Sequence, residues 1–270
     1  MNLIDEIKQD ISKLVQKKQV VLVKRGNDAI QQSLQLAHLL GKRKLLICDQ
    51  GGWLTYPTYG KDMGFEIVVM KTDHGVLSPQ ELQKHLDEKS VLLINSLPGY
   101  ISPQDMGILE QNCKRKNCFL INDAAGSIGT VHAQIGNIIL ASFGSDKPLK
   151  IGFGKAGFIA CDDDTFLDHF IPFSFSEKEL QEIKNAVKGL QDRLRFLQQK
   201  RIPVIKELQE KNKKILFPTR YGINVIILFE NEKEKKEIIT YCEKNHLEYT
   251  LCPREIRVLD NAVSVEIKRL

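Results

Sequence analysis

Lys147 stands in a turn between two apolar runs, five residues after Ser142, with glycines on both sides at Gly144 and Gly152. A lysine in such a setting can be partly desolvated, which lowers its pKa and favours the neutral amine that a Schiff base requires. Asp123 ends another apolar run and is followed by Ala124-Ala125-Gly126-Ser127. A carboxylate there is costly to bury unless it meets a cation. It can act as a metal ligand, a helix cap or the partner of a protonated ring nitrogen. The first role lacks support, because His74, His85, His132 and His169 show neither HExxH spacing nor a nearby second ligand.

Two further segments belong to the same search. Lys24-Arg25-Gly26-Asn27-Asp28-Ala29 runs from an apolar stretch straight into a helical pattern. It is either an ordinary βα turn or an anion cradle, in which glycine lets the backbone approach and the helix N-terminus presents free N–H groups. Asp28 is an awkward neighbour for a phosphate unless it points away. Trp53, the single tryptophan, follows Gly51-Gly52 and either stacks on a planar ligand or anchors a core. Together the four features fit one ligand: a planar, phosphorylated, cationic heterocycle carrying an aldehyde. Gly152, Gly154 and Gly157 also spell G-x-G-x-x-G, but a strand follows them and a turn precedes them, so the dinucleotide reading fails on context.

These residues need a scaffold that brings strand ends together. Strands are expected at VVLV (20–23), KLLIC (44–48), EIVVM (66–70), VLLIN (91–95), CFLIN (118–122), NIILAS (137–142) and GFIAC (157–161), alternating with helical patterns. Ser78-Pro79 and Ser102-Pro103 read as helix starts, and Gly41 as the end of a helix beginning near Asn27. Continuous apolar strands alternating with helices predict a three-layer α/β domain with a mostly parallel sheet, over residues 1–172. In such a sheet ligands bind beyond the carboxyl ends of the strands, where every residue named above falls. After residue 172 a long helical stretch (176–213) leads to strand NVIILF (224–229), a charged helix (231–244) and short strands around 249–251, 256–259 and 263–267. That reads as a linking helix and a small C-terminal α+β domain, 173–270.

On these residues the chain resembles the fold type I pyridoxal-phosphate (PLP) enzymes, and most of all the DegT-type sugar aminotransferases. In those, D-A-A-x-x-x-G precedes S-F-x-x-x-K and then a G-x-G-G turn. The matching residues are Asp123-Ala124-Ala125 to Gly129, Ser142-Phe143 to Lys147, and Gly152 to Gly157. The resemblance implies that Lys147 forms the internal aldimine and that Asp123 meets the pyridinium nitrogen. Ser142 and the backbone of Gly26, Asn27 and Asp28 would hold the phosphate, with Trp53 stacked on the ring. It further implies a homodimer, an amino-acid donor and a keto acceptor, keto sugars among the latter. Two departures stand out. Gly126 replaces the family's frequent glutamine, and the cross-dimer G-x-N-x-R-M segment has no counterpart in 171–176.

Composition narrows the alternatives. Of 270 residues, 39 are Lys or Arg and 34 Asp or Glu, interleaved rather than gathered on a stripe, so nucleic acid is not an expected partner. No apolar run approaches the roughly 20 residues that span a bilayer. The first helix, near residues 3–15, is amphipathic rather than a signal peptide, and the six cysteines form no CxxC pair, which points to reduced thiols and a cytoplasmic protein. Two rival readings share the fold: a PLP lyase or desulfurase, for which Cys252 is the candidate mobile nucleophile, and a non-catalytic partner subunit.

Overall fold

A computed structural model describes residues 2–270. Helix α1 (Leu3–Val15), capped by the Asn2 side chain, leads into β1 (Gln19–Val23), α2 (Gly26–Leu39), β2 (Lys44–Cys48), α3 (Tyr56–Asp62) and β3 (Glu66–Met70). The chain continues through α4 (Pro79–Gln83), β4 (Ser90–Asn95), α5 (Met106–Arg115), β5 (Phe119–Asp123), β6 (Ile138–Phe143) and β7 (Ala156–Cys161). The seven strands form one sheet in the order β1-β7-β6-β5-β4-β2-β3, parallel except for β7, which runs against both neighbours. The expected three-layer α/β architecture is therefore present.

Alternate residues of these strands feed opposite faces, and both faces are covered. Leu45, Ile47, Val91, Leu93 and Ile121 pack with α2 and α3 through Ile30, Leu34 and Tyr56. Leu46, Leu92 and Leu120 pack under Leu82 of α4 and Leu109 of α5. On that same side, farther along the sheet, Leu22, Ile139 and Phe158 meet Ile7 and Ile11 of α1 and Ile183 of α6 (Glu177–Lys188). The N-terminal helix thus covers the large sheet. Burial on two faces is why the central strands are continuous apolar runs instead of alternating ones.

The rest of the chain builds a second sheet. Helix α7 (Leu190–Glu210) leads to β8 (Lys214–Ile215), β9 (Val225–Leu228), α8 (Glu232–Lys244), β10 (Tyr249–Cys252) and β11 (Ala262–Val265), an antiparallel sheet ordered β10-β11-β9-β8. Its core joins Val225, Ile227, Val263 and Val265 to Leu197, Leu208 and Ile238. Along α7, Leu194 still belongs to the large-sheet core and Leu197 to the small one, so a single helix carries the change of core.

Several expectations need correcting. The stretch from 176 to 213 is two helices, interrupted by a one-residue turn at Gly189. Ser102-Pro103 opens no helix. Gln104 is held away by bonds to Ser96 and Gly75, and the Asp105 carboxylate caps α5 by accepting from the Ile108 N–H. Residues 256–259 form a turn closed by the Arg254 N–H donating to the Val258 carbonyl, and residues 267–269 a short 3-10 turn.

One close approach fixes the start of α2. A Cβ on Gly26 would lie 2.7 Å from Cβ of Ser142, and a Cβ on Gly157 would lie 2.8 Å from the Arg25 carbonyl carbon. Backbone cannot yield as a flexible side chain can, so Gly157→Ala is expected to lower stability by about 1–3 kcal/mol. Gly107→Ala, in an open position on α5, should instead raise it by about 0.5 kcal/mol. Urea unfolding midpoints of the two variants measure both effects, and an unchanged midpoint for Gly157→Ala would contradict the close approach.

Candidate active site

The carboxyl ends of the parallel strands open onto a cavity of about 360 Å³, lined on the far side by residues from turns flanking the small sheet. That size suits a single small ligand. Gly26, Asn27, Trp53, Asp123, Ser142 and Lys147, all singled out from the sequence, line it together. Asp28 does not. Its carboxylate accepts from the Arg25 side chain at 3.2 Å, and its N–H donates to the Arg25 carbonyl at 3.1 Å.

Each side chain is placed by the element behind it. Asp123 is the last residue of β5, buried, with one carboxylate oxygen accepting from Tyr56 Oη at 2.6 Å and the other from the Ala125 N–H at 3.0 Å. Burial pushes its carboxyl above the usual range, against the opposing pull of those two bonds and of Lys147. At the opposite end of the cavity, Gly26 and Asn27 begin α2, and no side chain caps that terminus. The Ser142 hydroxyl faces them from β6 and makes no hydrogen bond among the described residues. Trp53 is about one-third exposed, and its indole N–H donates to Asn27 Oδ1 at 2.8 Å, which fixes the ring as a wall of the cavity.

Lys147 lies in the turn after β6. Its ammonium donates to Tyr100 Oη at 2.8 Å and stands 5.4 Å from the Trp53 ring centre. Partial desolvation of such a turn predicts a lowered pKa. Burial does act in that direction, but the Tyr100 phenol, then Asp146 and Asp123, outweigh it and hold the ammonium above its ordinary value. Burial alone does not decide the direction, because Tyr100, the largest of the opposing influences, comes from a distant segment.

Residues the sequence reading passed over complete the site. Tyr100 ends the turn Pro98–Tyr100 after β4, a strand end where a search for ligand groups could have stopped. Arg257 and Lys268 arrive from turns flanking the strands of the small sheet and have no local signal in the sequence. Both are almost fully buried. Arg257 makes two hydrogen bonds to Glu266, at 2.8 and 2.7 Å, and Lys268 donates to Asp146 Oδ2 at 3.0 Å and to its carbonyl at 2.9 Å. Arg25 and Lys155 add positive charge near the start of α2.

Cys252, the candidate nucleophile of the lyase reading, is buried in β10, and burial raises its thiol pKa. A buried strand thiol of that kind is not a mobile nucleophile.

Although burial would raise it, the Glu266 carboxyl is brought down to about 2 by Arg257 and Lys268. A carboxylate whose folded pKa lies below its unfolded value stabilises the fold fully above the latter. That contribution disappears as pH falls from 4.5 towards about 2. Glu266→Gln should cost about 3–5 kcal/mol at neutral pH, since it strands the Arg257 charge. It should also flatten the acid limb of the stability profile. Denaturant unfolding between neutral pH and pH about 2 reads both, and an unaltered acid limb would sink the assignment.

With this geometry in place, comparison with known proteins is informative. Residues 2–199 match the model of the DegT/DnrJ/EryC1/StrS aminotransferase family, and residues 196–270 match the MJ1341 family C-terminal domain. No curated protein sequence matches the chain. Among solved structures, an aminotransferase from Psychrobacter cryohalolentis superposes with a TM-score of 0.77 at 15% identity, covering 99% of this chain and 89% of that one. A DegT DnrJ EryC1 StrS aminotransferase from Brucella abortus gives 0.76 at 13% identity, covering 98% and 85%. NtdA of Bacillus subtilis, with bound cofactor PMP, gives 0.74 at 17% identity, covering 98% and 72%. At such identities the superpositions speak to the fold, which is that of the PLP enzymes of fold type I. The family-model match spans well over half of the chain, and the chain belongs to the DegT/DnrJ/EryC1/StrS aminotransferase family, whose members depend on PLP.

Proposed function

We propose that the protein is an aminotransferase that moves an amino group from an amino-acid donor to a keto acceptor, a keto sugar being the acceptor class suggested by the family. The observation that carries this reading is the convergence of Lys147, Asp123, Trp53 and the uncapped start of α2 on one cavity. The donor set fits PLP end to end. The Gly26 and Asn27 amides, the Ser142 hydroxyl and the Arg25 and Lys155 side chains gather at an anion's end, and only a glycine at position 26 permits so close an approach to Ser142. At the floor, Asp123 is a buried carboxylate suited to a cationic ring nitrogen, and Trp53 walls the flat face between them.

Bound PLP supplies an electron sink for the pair left when a proton departs from the carbon bearing the amino group. The chain's own residues do the rest. Lys147 would hold the cofactor through its amine, and the same amine would move a proton at the carbon bearing the amino group. Asp123 keeps the ring nitrogen protonated, and Tyr56 holds the carboxylate in orientation through its 2.6 Å hydrogen bond. Tyr100, Arg257 and Lys268 complete the lining of the cavity. We propose further that the molecule works as a homodimer in the cytoplasm, as the family resemblance suggests.

Borohydride reduction of the PLP-loaded protein followed by peptide mapping should label Lys147 and nothing else. Label elsewhere, or none, would refute its role. Asp123→Asn should reduce turnover about 10²-fold or more while leaving the fold intact, measured by single-turnover conversion to the pyridoxamine form with a panel of amino acids. Release of a fragment from the amino acid without pyridoxamine formation would favour the lyase reading instead, and a protein that stays colourless with PLP the non-catalytic one.

A further inference from the structure

Tyr100 is a buried titratable side chain to which the proposed reaction assigns no proton of its own. Its placement is unusual. Gly99 and Tyr100 both have left-handed backbone angles, with φ of +57° and +66°, and the turn they make throws the phenol across the cavity. The ring lies against Gly126, where a Cβ would come within 2.9 Å of it, so the bare glycine is what admits it. Its hydroxyl is 2.8 Å from Lys147 Nζ, the hydrogen bond that holds that ammonium. The Arg257 guanidinium and the Lys268 ammonium each lie 4.9 Å from its ring centre.

Other charged groups around it are already committed. Glu266 serves Arg257, Asp146 serves Lys268, and Asp123 across the floor is bound by Tyr56 and the Ala125 amide. Three cations therefore face one phenol whose neighbouring carboxylates are all occupied. We propose that Tyr100 is the proton acceptor for Lys147, taking a proton from Nζ before the amine reacts with the cofactor's aldehyde and returning it when the amine is released. The bookkeeping closes within the pair: one N–H bond of the ammonium breaks, one O–H bond of the phenol forms, and the lone pair left on nitrogen becomes the nucleophile. The three cations favour the phenolate form that must be present to accept the proton, in agreement with the phenol's depressed pKa, which Lys147, Lys268 and Arg257 bring about against the effect of burial. The same pairing holds the Lys147 ammonium up, so the transfer is uphill and proceeds only as the neutral amine is consumed by reaction. This step rests on the proposed role of Lys147; the ionisation of Tyr100 does not.

Two measurements test the pair. In cofactor-free protein, the ultraviolet band of tyrosinate is followed against pH in the unsubstituted protein, Tyr100→Phe and Lys147→Met. A one-tyrosine step below the range of the other tyrosines is expected in the first, absent in Tyr100→Phe and displaced upward in Lys147→Met. No early step, or one that survives in Tyr100→Phe, overturns the proposal. Growth of the visible cofactor band after addition of PLP gives the second readout. Tyr100→Phe should slow it about a hundredfold at neutral pH and move its pH profile to higher pH. A profile superimposable on that of the unsubstituted protein overturns the proton transfer. Unsubstituted protein that shows the early tyrosinate step yet takes up no PLP would refute the cofactor role of Lys147 and with it the step, and so distinguishes the two failures.

Discussion

Buried charge where the two sheets meet constrains the rest of this molecule. Arg257, Glu266 and Lys268 are almost completely withdrawn from water, and none could stay so alone. Glu266 accepts two hydrogen bonds from Arg257 and a third from Asn224, while Lys268 reaches over to the backbone and carboxylate of Asp146. Asp146 immediately precedes Lys147. The pairing that lets these charges stay buried in the C-terminal segment is thus also what ties that segment to the turn carrying Lys147. A pair of this kind contributes little net stability over apolar packing, but losing one partner leaves a stranded charge. Its value here is positional.

A second constraint is the turn after β4. Left-handed backbone at Tyr100, a non-glycine residue, costs on the order of 1–3 kcal/mol and persists only when its surroundings enforce it. They do so from both domains. The Tyr100 carbonyl accepts from the Ile223 and Asn224 N–H groups at 2.8 and 3.0 Å, and the Gly99 N–H donates to the Gly51 carbonyl at 3.3 Å. The turn is thereby pinned between the Trp53 loop and the small sheet. Strain at a position that presents a phenol to the lysine fits a site that must be preorganised rather than merely packed.

Much of the large domain was legible in the sequence because period and burial agree there. All seven strands of the large sheet were foreseen to within a residue at either end, since runs such as Leu92–Ile94 or Phe119–Ile121 are apolar throughout only when both faces are covered. Gly26 and the Asp123 and Lys147 turns were legible as neighbours in one cavity for a related reason, as they follow strand ends. The small domain was harder. Residues 256–259 look strand-like, yet the backbone bond from Arg254 to Val258 closes them into a turn that delivers Arg257 to the cavity. Nothing local to Arg257 or Lys268 distinguishes them from solvated cations; only the fold shows that they are buried. The direction of the Lys147 shift was misread for the same reason, because Tyr100 lies 47 residues away along the chain.

The acid and the base of the site are coupled in a way that bears on what the cavity can hold. Asp123 is raised by burial, and one of the influences restraining that rise is the positive charge on Lys147. Lys147 in turn is held protonated in part by Asp123. When the lysine gives up its proton, Asp123 loses a cation and its charged form becomes costlier in the same low-dielectric floor. The cavity can tolerate a neutral Lys147 with an ionised Asp123 only if another positive group arrives beside the carboxylate. A protonated ring nitrogen seated on Asp123 meets that requirement, and the uncapped start of α2 offers the counter-site for an anionic tail at the other end. A ligand with one cationic ring and one anionic group therefore relieves both halves of the resting site at once. A neutral planar ligand would leave Asp123 in its present penalty, and a purely anionic one would worsen it.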